Sequence, residues 1–279
     1  MPEAVLILLI VLGVILAVSL LLFLLCLVLM TPGKRRPGFP FDGAMIAHRG
    51  LHGQGVPENS LPAFKAAAAR SDVGAELDVQ LTKDGKLVVF HDATLKRVCG
   101  VDRSVTGTDY EELLQYPLMG TEERIPLFSE VLKALNGIPL ICEIKVSPGA
   151  DIPALCQAAW DELKGYGGPW CIESFHPAVV HWFKAHQPQV IRGQLSRNMF
   201  RSGENLSWPV KFILTHLLID FYTRPDFIAY DFHHADTLGF RLVRALYCPY
   251  TAAWTPRGDE EVREAKGKGF DTLIFEEGK

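Results

Sequence analysis

Two carboxylates, Glu76 and Asp78, stand two residues apart in "GAELDVQLTKDG", and a third, Glu143, stands two residues before Lys145 in "PLICEIK". Side chains alternate across a β-strand, so each pair shares one face of its strand. If both faces point at a common centre, three carboxylates converge, and their mutual repulsion calls for a cation. An all-oxygen donor set suits a hard divalent ion, Mg²⁺ or Ca²⁺, better than zinc, and the same oxygens serve either. Taken alone, an acid pair at this spacing is more often a solvated strand face, with Gln80 continuing the stripe. The matching Glu143/Lys145 pair on a later strand turns the reading towards a site. Two histidines close strand-like runs, His48 after "AMIA" and His91 after "LVVF". A lone strand-end histidine is commonly structural, but two beside a cation form an acid/base pair. Arg49 and Lys145 add positive charge without being oxygen ligands, which fits a phosphate ligand, charge compensation for the acids, or both.

Such groups must be held by strand ends. From residue 44 onward, short apolar runs alternate with helical patterns: strands at 44–48, 75–79, 139–145, 171–175, 190–195, 227–232, 250–254 and 271–275, separated by amphipathic segments. One of these, "NSLPAFKAAAAR", opens on Asn59 or Ser60 as N-cap. That alternation predicts parallel strands joined by crossover helices. "LVVF" (87–90) is the exception. It follows the second strand after only "TKDG", whose Asp84-Gly85 is a hairpin signal, and parallel neighbours need a much longer connection. With "LVVF" set aside as an antiparallel outgrowth, eight parallel strands remain, which predicts a (β/α)₈ TIM barrel. An open doubly wound sheet is the alternative, but no Gly-x-Gly-x-x-Gly follows the first strand. The region at about 82–127, and above all 92–127, fits no barrel unit and reads as a small insertion after strand two, over the barrel mouth. Barrel chemistry sits at carboxyl strand ends. Here those ends carry His48-Arg49, Glu76, Asp78, Glu143, Lys145, Ser174, Gln194, Asp231 and Trp254.

The run from Ala4 to Met30 contains neither charge nor proline and is long enough to span a bilayer. A cleaved signal peptide would need a basic leader, a shorter apolar stretch and a small-residue cleavage site. The chain has Met-Pro-Glu before the run and no A-x-A after it, so one N-terminal transmembrane helix is expected. Lys34, Arg35 and Arg36 follow, placing a single-pass protein's catalytic domain in the cytoplasm by the positive-inside rule. The domains are then 1–36, anchor and basic flank, and 37–279, the barrel. Outside the anchor the five cysteines form no C-x-x-C pair, which suits reduced thiols. A formal net charge of −4 gives no basic field for nucleic acid. The segment 208–222 reads as one helix with two apolar stripes. Val210, Ile213, Leu214, Leu217 and Phe221 are expected to face the barrel. The second stripe, with Trp208, Phe212, Ile219 and Tyr222, has three candidate partners: the bilayer, the linker or another subunit. Oligomeric state is left open.

"AHRG", "PENS", "AELDVQLTKDG", "LVVFHD", "IPLFSEVL" and "CEIK" occur in the order and spacing of the glycerophosphodiester phosphodiesterases, and the chain resembles that family most strongly over about 44–145. "ESF", "GQL" and "AWT" extend the likeness to about 255. The resemblance implies a barrel with an insertion after strand two. It implies Glu76, Asp78 and Glu143 as metal ligands, His48 and His91 as the acid/base pair, and Arg49, Lys145 and Trp254 as substrate or phosphate contacts. Glu58, in "PENS", is implied as support from loop one. The implied activity is metal-dependent hydrolysis of a glycerophosphodiester to an alcohol and sn-glycerol 3-phosphate; a membrane contact of the second stripe on 208–222 would extend the substrates to lysophospholipids or other lipid phosphodiesters. A membrane-anchored module that binds phosphodiesters without turnover is the alternative. The chain departs from the family pattern late, with "WTPR" for W-T-V-N and "IFEE" for I-T-D, in loops implied to border the leaving group.

Overall fold

The computed structural model describes residues 2–34 and 37–278; Arg35 and Arg36 of the expected basic flank lie outside the described residues. The helix α1 (Glu3–Leu29) comes first, followed by β1 (Met45–Ala47), α2 (Leu61–Ala68), β2 (Gly74–Leu81) and β3 (Leu87–Val89). The short α3 (Lys96–Cys99) and α4 (Tyr110–Leu113) precede α5 (Phe128–Leu135), β4 (Leu140–Ile144), α6 (Ile152–Leu163), β5 (Trp170–Ser174) and α7 (Pro177–His186). The chain continues with β6 (Arg192–Ser196), α8 (Trp208–Thr215), α9 (Asp220–Thr223), β7 (Phe227–Asp231), α10 (Leu238–Tyr247), β8 (Tyr250–Arg257), α11 (Gly258–Gly267) and β9 (Thr272–Glu276).

β1 pairs in parallel with both β2 and β9, so β1, β2 and β4–β9 close into a parallel barrel. β3 runs antiparallel to β2, as the short "TKDG" connection requires. Gly85 takes φ 75° in that turn, and Thr82 N–H donates to the Lys86 carbonyl at 2.9 Å. Helix starts carry their expected caps. Ser60, rather than Asn59, accepts from Ala63 N–H at the start of α2, and Asp151 caps α6 in the same way.

Strand alternation is what aims the acids. On β2 and β4, Leu77, Val79, Cys142 and Ile144 turn outward and are buried in one cluster with Phe64 of α2, Phe128 of α5 and Leu155 of α6. Burying each large apolar side chain contributes roughly 1.5–3 kcal/mol. The alternate residues Glu76, Asp78 and Glu143 are thereby held inside the barrel. Asp78 pairs in register with Glu143, and Glu143 with Glu173, so these three share one layer. At the opposite end of the barrel, Phe39 and Phe41 from the linker join Phe227 and Tyr250; Phe39 stacks on Tyr250 with ring centroids 4.3 Å apart.

The insertion has its own small core of Phe90, Leu95, Val98, Val105, Leu113, Leu118 and Ile125. The segment 208–222 differs from expectation. It is not one helix: α8 ends at Thr215, Leu217 adopts a left-handed φ of 58°, and α9 starts afresh at Asp220. The break resets the helical phase, so a stripe counted across it does not stay on one face. Of the residues expected to face the barrel, Leu217 is buried, whereas Val210, Ile213 and Phe221 are 40%, 37% and 41% exposed.

Candidate active site

Glu76, Asp78 and Glu143 come together as the spacing predicts. One carboxylate oxygen from each lies within 4.8 Å of the others, and all three residues are buried. Their other contacts leave specific atoms unspent. Glu76 Oε2 accepts from Arg49 N–H at 2.9 Å, and Asp78 Oδ2 accepts from Asn59 Nδ2 at 2.8 Å. Glu76 Oε1 and Asp78 Oδ1 are buried without a hydrogen-bond partner among the described residues, although Lys145 Nζ stands 3.3 Å from Asp78 Oδ1 and 2.8 Å from Glu143 Oε1. Buried, hydrogen-bond-deficient carboxylate oxygens fit a hard cation.

The electrostatics agree. Burial, then the neighbouring Asp78 and Glu143, push the Glu76 carboxyl well above the usual carboxylate range. Glu143 is raised by burial, against the pull of Lys145. Burial opposes ionisation of Asp78 too, yet Lys145, His91 and Arg49 hold its carboxyl below the ordinary value. Burial works against the Lys145 ammonium, but Glu143 and Asp78 keep it above its usual range. A divalent cation would relieve the strained acids, as either Mg²⁺ or Ca²⁺ does at an oxygen site.

Both histidines are backed by carboxylates. His48 Nδ1 lies 2.8 Å from Glu276 Oε1, and His48 Nε2 faces inward, 4.0 Å from Glu76 Oε2. Burial lowers His48 to about 4, against the raising effect of Glu276. Glu276 itself is held below the carboxylate range: burial opposes this, but hydrogen bonds from His48 and Arg257 prevail. His91 Nδ1 lies 2.6 Å from Asp92 Oδ1.

Arg49 donates from its guanidinium to Glu58 Oε1 at 2.7 Å and places Nε 3.4 Å from Asp78. Glu58 therefore meets the cationic side of the site, Arg49 and Arg97, rather than the acid trio; Arg97 reaches Glu58 at 2.6 and 2.8 Å and Asp92 at 2.7 and 3.1 Å. Trp254 stands across the mouth, edge-on to Phe175 at 5.4 Å, with the Arg197 guanidinium 5.5 Å from the Phe175 ring and 6.0 Å from Trp254. From Glu143 and Lys145 a cavity of about 540 Å³ runs past Ser174 and Phe175 to Met199, Val210, Ile213 and Leu214.

Sequence reasoning did not find Glu276, Asp92, Arg97, Asn59 or Arg197. Glu276 lies one residue beyond the predicted last strand, and extending that strand by one position would have placed it at a carboxyl strand end. Asp92 follows His91 directly, which is the only local signal it offers. Asn59 reads as a helix cap, but its side chain is spent on Asp78 instead. Arg97 lies on the single-turn α3 of the insertion and Arg197 in an irregular loop, and no periodicity reports the path of either.

Residues 48–277 match the model of the glycerophosphoryl diester phosphodiesterase family. Among curated proteins, a lysophospholipase D of Rattus norvegicus is 40% identical over 114 residues, covering 37% of this chain and 36% of the relative. A glycerophosphodiester phosphodiesterase of Caldanaerobacter subterraneus is 38% identical over 111 residues, covering 38% of this chain and 45% of the relative. The match thus spans less than half the length of these relatives. A phosphodiesterase from Oleispira antarctica, solved with the product sn-glycerol-3-phosphate, superposes with a TM-score of 0.69 at 24% identity, covering 85% of this chain and 94% of that one. That likeness supports the barrel fold.

Proposed function

The chain belongs to the glycerophosphoryl diester phosphodiesterase family, and from that premise we propose that it hydrolyses glycerophosphodiesters to a free alcohol and sn-glycerol 3-phosphate. The observation that carries this reading is the single mouth shared by three buried carboxylates and two carboxylate-backed imidazoles. Glu76, Asp78 and Glu143 would hold a divalent cation, Mg²⁺ or Ca²⁺. When bound, that cation supplies Lewis-acid polarisation of the phosphate and a template for the substrate.

The chain's own residues supply the rest. Arg49 and Lys145 face the same acids from the cationic side and stabilise the negative charge that builds on the phosphoryl oxygens. His48, lowered to about 4, is neutral near pH 7, so its inward Nε2 can accept a proton from the nucleophile, a water or the neighbouring glycerol hydroxyl. Glu276 on Nδ1 fixes the tautomer and stabilises the imidazolium as it forms. His91, oriented by Asp92, donates a proton to the departing alcohol oxygen as its bond to phosphorus breaks. Trp254 and Phe175 provide an aromatic wall for the substrate.

A second reading, action on lysophospholipids, is favoured by the cavity that leads from Glu143 and Lys145 to apolar side chains long enough to line a hydrocarbon chain. It agrees with the lysophospholipase D activity for which the rat relative is named. α1 is apolar and long enough to cross a membrane. With the basic residues after it, it makes a single-pass anchor with the catalytic domain on the cytoplasmic side. Incubation with glycerophosphocholine tests the main reading. Choline and glycerol 3-phosphate should appear together, and EDTA should stop both. Tight binding of glycerophosphocholine without product would support the binding-module alternative instead.

A further inference from the structure

α1 does not lead into a free tether. Its last turn is docked: Cys26, Leu27 and Leu29 pack against the domain, and Met30 is buried with Leu217, Leu218 and Phe240. Tyr247 Oη donates to the Leu27 carbonyl at 2.5 Å, and an Arg224 guanidinium N–H donates to the Pro32 carbonyl at 3.3 Å. The 27 residues of α1 measure roughly 40 Å at 1.5 Å per residue, against a hydrocarbon thickness of about 30 Å. With the last turn spent on the domain, little of the helix is left to act as a spacer. The domain surface around Leu27 and Met30 must therefore meet the lipid headgroups.

What that surface carries is unusual for a water-facing one. Phe212, partly buried, packs on the same cluster as Met30. Trp208 stacks on Phe212 at 5.4 Å and is 65% exposed, and Phe200 continues the row 6.1 Å beyond Trp208. Phe221 and Tyr222 are exposed on α9, the helix that α1 contacts. An aromatic row running outward from a docked span is the composition of a membrane-interface belt. Arg201 and Lys211 on the same segment suit anionic headgroups. Val210 and Ile213 of α8 also line the cavity that ends at Glu143 and Lys145, so α8 forms the wall between this face and the site.

We propose that the face bearing Phe200, Trp208, Phe221 and Tyr222 rests in the headgroup–acyl boundary of the membrane that α1 spans, and that the cavity beneath α8 admits a lipid phosphodiester directly from that membrane. The second half rests on the hydrolase reading above; the first does not.

The full chain reconstituted in phosphatidylcholine vesicles with acyl chains brominated near the headgroup tests the contact. Bromine should quench a tryptophan component that Trp208→Phe removes, and deeper bromination should quench it less. Equal fractional quenching in wild type and variant would overturn the contact, as would an exposed-face dimer that shields Trp208 from bromine. The double variant Trp208→Ser/Phe221→Ser tests the portal. Its turnover of lysophosphatidylcholine presented in vesicles should fall about tenfold, the effect expected from withdrawing bulky apolar side chains from an interface, with glycerophosphocholine turnover unchanged. Unchanged turnover of both substrates would overturn the portal. Should the wild type turn over neither, the hydrolase reading fails and the portal with it, while the quenching result still decides the contact.

Discussion

Glu276 and Asp92 each place a carboxylate oxygen on Nδ1 of a mouth histidine, at 2.8 and 2.6 Å. At the scale of residues, the proposed mechanism uses this pairing to fix the tautomer of each imidazole, one as base and one as acid. His48→Ala and His91→Ala should each lower kcat by roughly 10²- to 10⁴-fold with the fold intact by circular dichroism. Glu276→Gln removes charge but keeps shape, and should lower kcat roughly 10- to 100-fold, as loss of an imidazole's outer partner does, with little change in KM. The pH dependence has a definite sign. Protonation removes the base, and burial sets His48 to about 4, so the acid limb governed by His48 should fall below pH 6. The acids were legible in the sequence because a strand's two-residue period alone puts Glu76 with Asp78 and Glu143 with Lys145. Glu276 was not, because its role depends on where β9 stops and on the pairing of β9 with β1, which bring residues far apart in sequence together.

The insertion is joined to loop one through a chain of ion pairs, His91–Asp92–Arg97–Glu58–Arg49. This network explains why elements remote in sequence hold a common geometry. Burial opposes ionisation of Glu58, but Arg97 and Arg49 hold its carboxyl down to about 2. A carboxyl depressed on folding adds stability that is full above its ordinary value near 4.5 and is lost as pH falls through about 2. Thermal melts should therefore show wild type above Glu58→Gln at pH 7, with the gap closing as the pH is lowered from 4.5 to 2. A gap independent of pH would mean that Glu58 acts through packing alone. Gly50 makes a second joint. It takes φ 78°, and a Cβ there would lie 2.9 Å from the Ala63 backbone carbon in α2. Gly50→Ala should cost at least ~1–2 kcal/mol from the left-handed backbone alone, read as a lower melting temperature. The barrel and the "TKDG" hairpin were legible as alternation and connection length. The break after α8 was not, since residues 208–222 keep helical periodicity in composition and only the left-handed turn at Leu217 interrupts it.

As a whole molecule, the protein joins an apolar helix to a closed parallel barrel whose carboxyl strand ends hold the buried acid cluster. The apolar N-terminal helix was plain from an uncharged run, but its docking against Leu217, Leu218 and Tyr247 depends on tertiary packing that no local pattern encodes. Hydrolysis should depend on a divalent cation held by Glu76, Asp78 and Glu143. Calorimetric titration of metal-free full-length protein with Mg²⁺ and Ca²⁺, alongside glycerophosphocholine turnover, tests it most directly. Wild type should bind one of these ions at a single site and regain turnover in proportion to occupancy, while Asp78→Asn should lose both. Full turnover by the metal-free protein, or undiminished cation binding and turnover in Asp78→Asn, would contradict it.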